Sequence, residues 1–165
     1  MNEEEQQLNK VLMLFYFGYR TFTEKPDQII EKYGIQRVHH RILYFIAQVP
    51  GITVNDLLSI LEVSKQALNA PLRVLSEKNL ITMVQADYDK RYKLLYLTEQ
   101  GKQLESKLSH VQREQMKTIF NSLGPNYQKA WIDVMNALAK VRPGQQQFNA
   151  QFKSRAIDQT QGKTH

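Results

Sequence analysis

The sequence predicts a mainly α-helical protein with a small β-hairpin wing, a winged helix-turn-helix joined to a helical dimerisation region. Three observations carry this expectation. Apolar residues recur at helical spacing through most of the 165 residues, and the helix breakers Gly and Pro number only seven and five. Between residues 53 and 78, two short amphipathic segments meet at a tight turn. The apolar period then shifts from helical to extended over residues 80–97, on either side of a polar turn.

The elements follow in order. Residues 6–24 predict a helix, with Leu8, Val11, Leu12, Phe15, Tyr19 and Phe22 at helical spacing. Met13, Leu14, Tyr16 and Phe17 widen its apolar face, which therefore needs burial on more than one side, in a core or against a partner chain. Pro26 is expected to interrupt it, with a short helix over 26–33 stopping at Gly34. Residues 36–48 form the next helix, with Ile35, Val38, Ile42, Phe45, Ile46 and Val49 on one face before Pro50-Gly51. Thr53 caps a short helix bearing Val54, Leu57, Leu58 and Leu61, with Asp56 favouring its first turn. After the turn at Glu62-Val63, Ser64 caps a second helix that buries Leu68, Leu72 and Leu75. Residues 80–85 and 92–97 pair as a hairpin around the charged tip at 86–91. Thr98 caps a long helix reaching about Asn121, which Gly124-Pro125 breaks. A last helix carries Tyr127, Trp131, Val134, Leu138 and Val141 on one face. Residues 143–165 are Gln-rich and polar and are expected to form a flexible tail, since they offer little apolar surface against the entropy of ordering.

Composition narrows the function. The formal net charge of +6 admits an anionic partner. Residues 52–98 carry six Lys/Arg against five Asp/Glu, so any such contact depends on where charges point. The absence of cysteine excludes disulfides, thiolate nucleophiles and thiol redox sensing. The acidic start Met1-Asn2-Glu3-Glu4-Glu5 is unlike a secretory signal, and the apolar run at 11–17 is too short to span a bilayer, so a soluble cytoplasmic protein is expected. His39 and His40 are adjacent, about 100° apart on a helix, and do not form a metal pair. With no nucleophile triad and no phosphate-binding loop, no enzyme, metal or cofactor is expected.

The helix after Ser64 carries the functional reading. Lys65, Gln66, Asn69, Ala70 and Arg73 share the face opposite its leucines. Gln and Asn can pair bidentately with adenine, Arg or Lys with guanine, and Ala70 can meet a thymine methyl. Ser64, at the helix start, offers its hydroxyl and free backbone N–H groups to a phosphate. On the hairpin tip, Asp89 can brace Arg91, while Lys90 and Arg91 project cations toward phosphates or a narrow minor groove. An ordinary solvated helix face with a charged turn is the plain alternative.

In order and spacing these residues resemble the MarR family of bacterial transcription regulators. The resemblance rests on Thr53-Val54-Asn55-Asp56-Leu57-Leu58, the turn into Val63-Ser64-Lys65-Gln66-Ala67-Leu68-Asn69, and Leu80-Ile81 opening the hairpin. The wing Asp87-Tyr88-Asp89-Lys90-Arg91 and its exit Leu97-Thr98-Glu99-Gln100-Gly101 complete it, over about residues 8–142. It implies a homodimer held by terminal helices, two winged units reading a pseudo-palindromic operator, and a repressor's role. It also implies that residues 64–73 are the recognition helix and that Asp89 and Arg91 are the wing pair. Tyr16, Tyr19, His40 and Tyr44 can line a cavity between dimer core and winged unit, where the family often takes a small aromatic effector. Pro71 departs from the pattern: it removes one backbone bond inside the recognition helix and threatens the reach of Arg73. The chain thus divides into an N-terminal dimerisation helix (1–34), a winged DNA-binding region (35–98), C-terminal dimerisation helices (99–142) and the tail (143–165). The competing function is a winged-helix module that binds protein and not DNA, favoured by the near-neutral charge of residues 52–98.

Overall fold

One long helix, α1 (Glu3–Lys32), opens the chain in the computed structural model, which describes residues 2–161. Asn2 caps it by accepting the Glu5 backbone N–H at 2.8 Å, and Glu3, Glu4 and Glu5 lie at the positive end of its dipole. The helix runs straight on through Pro26, contrary to the interruption expected there. A proline inside a helix costs about 3 kcal/mol through its missing donor and its clash with the preceding turn. Here Pro26 is buried with Thr23 and Ile30, in the stretch of α1 that meets α2 (Arg37–Gln48) and α5 (Glu99–Leu123), and that burial offsets the missing bond.

The winged unit forms where the caps place it. Thr53 accepts the Asp56 N–H and Ser64 the Ala67 N–H, both at 3.1 Å, opening α3 (Val54–Leu61) and α4 (Lys65–Glu77). Strands β2 (Ile81–Gln85) and β3 (Lys93–Leu97) pair with Met83 opposite Leu95. A third strand, β1 (Ile52–Thr53), joins the far side of β3, giving the antiparallel order β1-β3-β2. Two residues are too few to leave a period, so β1 is invisible in the sequence. Thr98 then accepts the Gly101 N–H at 3.0 Å and donates to the Asn79 carbonyl at 2.6 Å, fastening the start of α5 to the hairpin.

One core unites these parts. Ile30 of α1, Ile42, Leu43 and Ile46 of α2, Leu57, Leu68 and Leu75 of the helix pair, Leu95 of the sheet, and Leu104 and Leu108 of α5 are all buried together. Burying each such side chain stabilises by ~1.5–3 kcal/mol relative to exposing it. Residues 2–21 of α1 and its cap stay outside the core, and α6 (Tyr127–Ala139) buries no side chain.

The expected flexible tail is corrected over 143–161, which form helix α7 (Pro143–Gln161), lying along α3. Two features overturn the compositional argument. Phe148 reaches the edge of the core, its ring centroid 5.5 Å from that of Phe45. Gly144 brings α7 so near that a Cβ there would strike the Ile60 carbonyl. Residues 162–165 of the expected tail lie outside the described residues. Among the described residues no helix is long and apolar enough to cross a membrane.

Candidate nucleic-acid interface

Helix α4 turns its buried leucines, Leu68, Leu72 and Leu75, onto the core and leaves Lys65, Gln66, Asn69, Ala70 and Arg73 exposed. It continues unbroken through Pro71, held by the buried leucines on both sides, and Arg73 reaches Glu77 one turn on at 4.0 Å. The exposed hydroxyl oxygen of Ser64 is engaged by the cap, which leaves its O–H free to donate outward.

The wing is braced from within. Tyr92 N–H donates to the Asp89 carbonyl at 3.0 Å, and Ala86 N–H to the Tyr92 carbonyl at 2.9 Å. The Asp89 carboxylate accepts four bonds from Arg91: Nε at 3.0 and 3.1 Å, Nη2 at 2.6 Å and the backbone N–H at 3.0 Å. Those bonds hold the Asp89 carboxyl below the usual carboxylate range and push the Arg91 guanidinium above its own. The Arg91 side chain stays 85% exposed, so the clamp orients the cation without burying it. Gln85 adds a brace that its sequence position did not reveal, donating from Nε2 to the Lys90 carbonyl at 2.7 Å.

An open cleft lies between helix and wing. Lys65, Asn69 and Arg73 line it from α4, and Arg91, Tyr92 and Lys93 from the wing. Asn55, in the first turn of α3, completes the wall. Ser64, Gln66, Ala70 and Lys90 are exposed nearby but do not line it. Asn55 and Lys93 read in the sequence as ordinary surface positions on a helix and a strand. The packing of α3 on α4 brings Asn55, and the closing of the hairpin brings Lys93, into the cleft that Asn69 lines.

Comparison with known proteins identifies the family. Residues 33–91 match the model of the MarR family. Over 134 residues the chain is 39% identical to the HTH-type transcriptional regulator PetP of Rhodobacter capsulatus, with 81% of each chain covered. The chain belongs to the MarR family.

This MarR-family transcriptional regulator shares its fold with solved structures. Staphylococcus aureus MarR in complex with salicylate and kanamycin is 26% identical, with a TM-score of 0.68 over 84% of this chain and 94% of that one. A mutant of S. aureus MepR bound to an oligodeoxyribonucleotide is 25% identical, with a TM-score of 0.56 over 79% and 97%.

A second, larger cleft of this MarR-family chain lies among α1, α2, α5 and α6. Tyr19, His40 and Tyr44 line it, joined by Trp131 and by Arg37 and Arg113, which sequence spacing does not single out. Tyr16, expected here, is excluded: it sits about one turn before Tyr19, beyond the end of the cleft, and its exposed hydroxyl accepts Arg20 Nη1 at 3.2 Å. Arg37 grips Asp27 through Nε at 2.8 Å and lies 5.6 Å over the Tyr19 ring. Burial holds His40 below its ordinary pKa and pushes the Tyr44 hydroxyl up.

Proposed function

We propose that this regulator is a homodimeric, sequence-specific DNA-binding repressor that reads a pseudo-palindromic operator. The observation that carries the reading is the convergence of Lys65, Asn69 and Arg73 of α4 with the Asp89-clamped Arg91 of the wing around one cleft. Asn69 supplies a bidentate group for a base edge, and Lys65 and Arg73 flank it with cations. Ser64, Gln66 and Ala70 extend the reading surface, and Lys90 with Arg91 holds the backbone or minor groove. The MepR relative bound to an oligodeoxyribonucleotide supports this use of the fold. The exposed apolar residues of α1 and α6, including Leu12, Phe15, Val134 and Leu138, support a second copy as partner. In the dimer, the two α4 helices would enter half-sites about 34 Å apart. The cleft holding Tyr19, His40 and Tyr44 is the place for a small aromatic effector whose binding releases DNA, a role supported by the salicylate complex of S. aureus MarR.

The test is affinity for a duplex recovered from a random-sequence selection, against a scrambled duplex, across a salt series. Asn69→Ala is expected to cost about 1–3 kcal/mol on the selected site and to relax preference at one base pair. Arg91→Ala is expected to weaken all duplexes alike and to lower the salt slope by about one unit for each phosphate that a subunit no longer touches. If neither substitution changes affinity in a folded protein, the alternative of a protein-binding winged helix takes its place. Such a module has no need of cations on its wing tip.

A further inference from the structure

The chain closes on its winged unit twice, and each closure uses a glycine in the first turn of a helix. Gly101 of α5 lies against the Leu80 carbonyl, where the hairpin begins. Gly144 of α7 lies against the Ile60 carbonyl, in the last turn of α3. At both places a Cβ would collide with main chain, so only glycine permits the approach. The first closure ties α5 to the wing. The second puts no residue of α7 into the cleft between α4 and the wing.

Helix α7 holds α3 near both of its ends. At the C-terminal end, Arg142 Nη1 lies 3.6 Å from Glu62 Oε1, where Glu62 ends α3 in the left-handed region at φ 54°. There the first turn of α7, with N–H groups lacking intrahelical partners, meets the carbonyl end of α3, and the partial charges attract. Near the N-terminal end, Gln147 Nε2 donates to Asp56 Oδ1 at 3.2 Å. Next to Gln147, Phe148 rests edge-on against Phe45 of α2, with Phe152 behind it at 5.7 Å. Only residues 140–142 separate α6 from α7, so the chain passes from one directly to the other.

α3 has reason to need such support. It is eight residues long, and a helix that short is marginal without packing. It carries α4 across the three-residue turn 62–64, so a change in its tilt passes to the recognition helix.

We propose that α7 is a brace supplied by the chain itself: it docks on α3 of the same chain and holds the helix-turn-helix in the pose from which α4 reads DNA. The effect on reading rests on the proposed DNA function, whereas the docking stands apart from it.

A cysteine-free chain makes docking directly measurable. In the full chain carrying Asp56→Cys and Gln147→Cys, a short bifunctional thiol reagent is expected to link the two positions within one chain, leaving a monomer-sized species after denaturation. Failure to link them, or a covalent dimer, overturns docking within the chain. Gly144→Val is expected to speed amide exchange at residues 57–60 and to weaken binding of the selected duplex, each by about tenfold, while sedimentation still gives a dimer. Phe148→Ala, which removes a ring without adding a clash, is expected to do the same to a smaller degree. Unchanged exchange in both variants overturns the brace, and faster exchange with unchanged affinity overturns its part in reading. If the natural chain binds no duplex, the proposed DNA function falls, and the exchange comparison alone decides the brace.

Discussion

Helices α1 and α2 draw on the same kinds of apolar residue and treat them in opposite ways. Ile42, Leu43 and Ile46 of α2 are 0% exposed, while Leu12, Phe15 and Phe17 of α1 remain 70, 59 and 58% exposed. The difference lies in what surrounds each helix. α2 is enclosed by α1, α4, α5 and the sheet, whereas the first two-thirds of α1 and all of α6 have no such enclosure. Exposed aromatic and aliphatic surface on this scale is what a partner chain covers. The molecule thus finishes one core by itself and leaves a second apolar surface uncovered, which the proposed homodimer would bury.

The sharpest way to break that contrast is to make the same kind of change on each side. Ile46→Ala, in the finished core, is expected to lower unfolding stability by about 2–5 kcal/mol, through reduced burial and the cavity left behind. Chemical denaturation measures it, and a change within experimental error would show that α2 is not the centre of the core. Leu12→Asp is expected to leave the winged core intact and to raise the dimer dissociation constant on the order of a hundredfold, since a carboxylate would be desolvated in the interface. Sedimentation across a concentration series reads it, and an undiminished dimer would place the interface elsewhere.

At the joint between the two regions stands Thr98, which caps α5 and also reaches the Asn79 carbonyl. Thr98→Ala is expected to remove about 1 kcal/mol, seen as a lower denaturation midpoint with the dimer retained. The smallest effect belongs to pH. His39 is buried at the start of α2, and its Nδ1 accepts the Gln36 backbone N–H at 2.9 Å. Burial holds its pKa below the ordinary value, and nearby Lys78 acts in the same sense. A folded-state pKa below the unfolded one means that stability is fully present above the unfolded pKa and is lost as pH falls below about 6.5. His40 is shifted in the same direction by burial, so His39→Gln is expected to flatten only part of the decline between about pH 7.5 and pH 5.5. Midpoints measured across that window check it, and a parallel decline in the variant would assign the effect to other groups.

Much of the candidate site was legible before any tertiary structure. Thr53, Ser64 and Thr98 could be read as caps because a hydroxyl just before an amphipathic run serves its own next turn, and each accepts the N–H three residues on. The Asp89–Arg91 clamp was legible for the same reason, since the two residues are near neighbours in the chain. Pro26 misled because its penalty is local and the burial that overrides it is not. Asn55, Lys93 and the Gln85 brace left no trace, because each matters only through residues reached after α3 packs on α4 or the hairpin folds back.

By itself, then, the sequence determined the helices, their caps, the change of period into the wing and the face of α4 turned away from the core. Those features depend on residues within a few positions of one another, where spacing and hydrogen-bonding chemistry suffice. Tertiary structure alone decided that Tyr16 stands outside the cleft its neighbour Tyr19 enters, and that polar residues 143–161 are ordered as α7. Both outcomes depend on surfaces distant in the chain. Tyr19 reaches the cleft because its side of α1 faces Arg37 of α2, and the polar helix is held because one missing Cβ at Gly144 and one ring at Phe148 fit a surface laid down some ninety residues earlier.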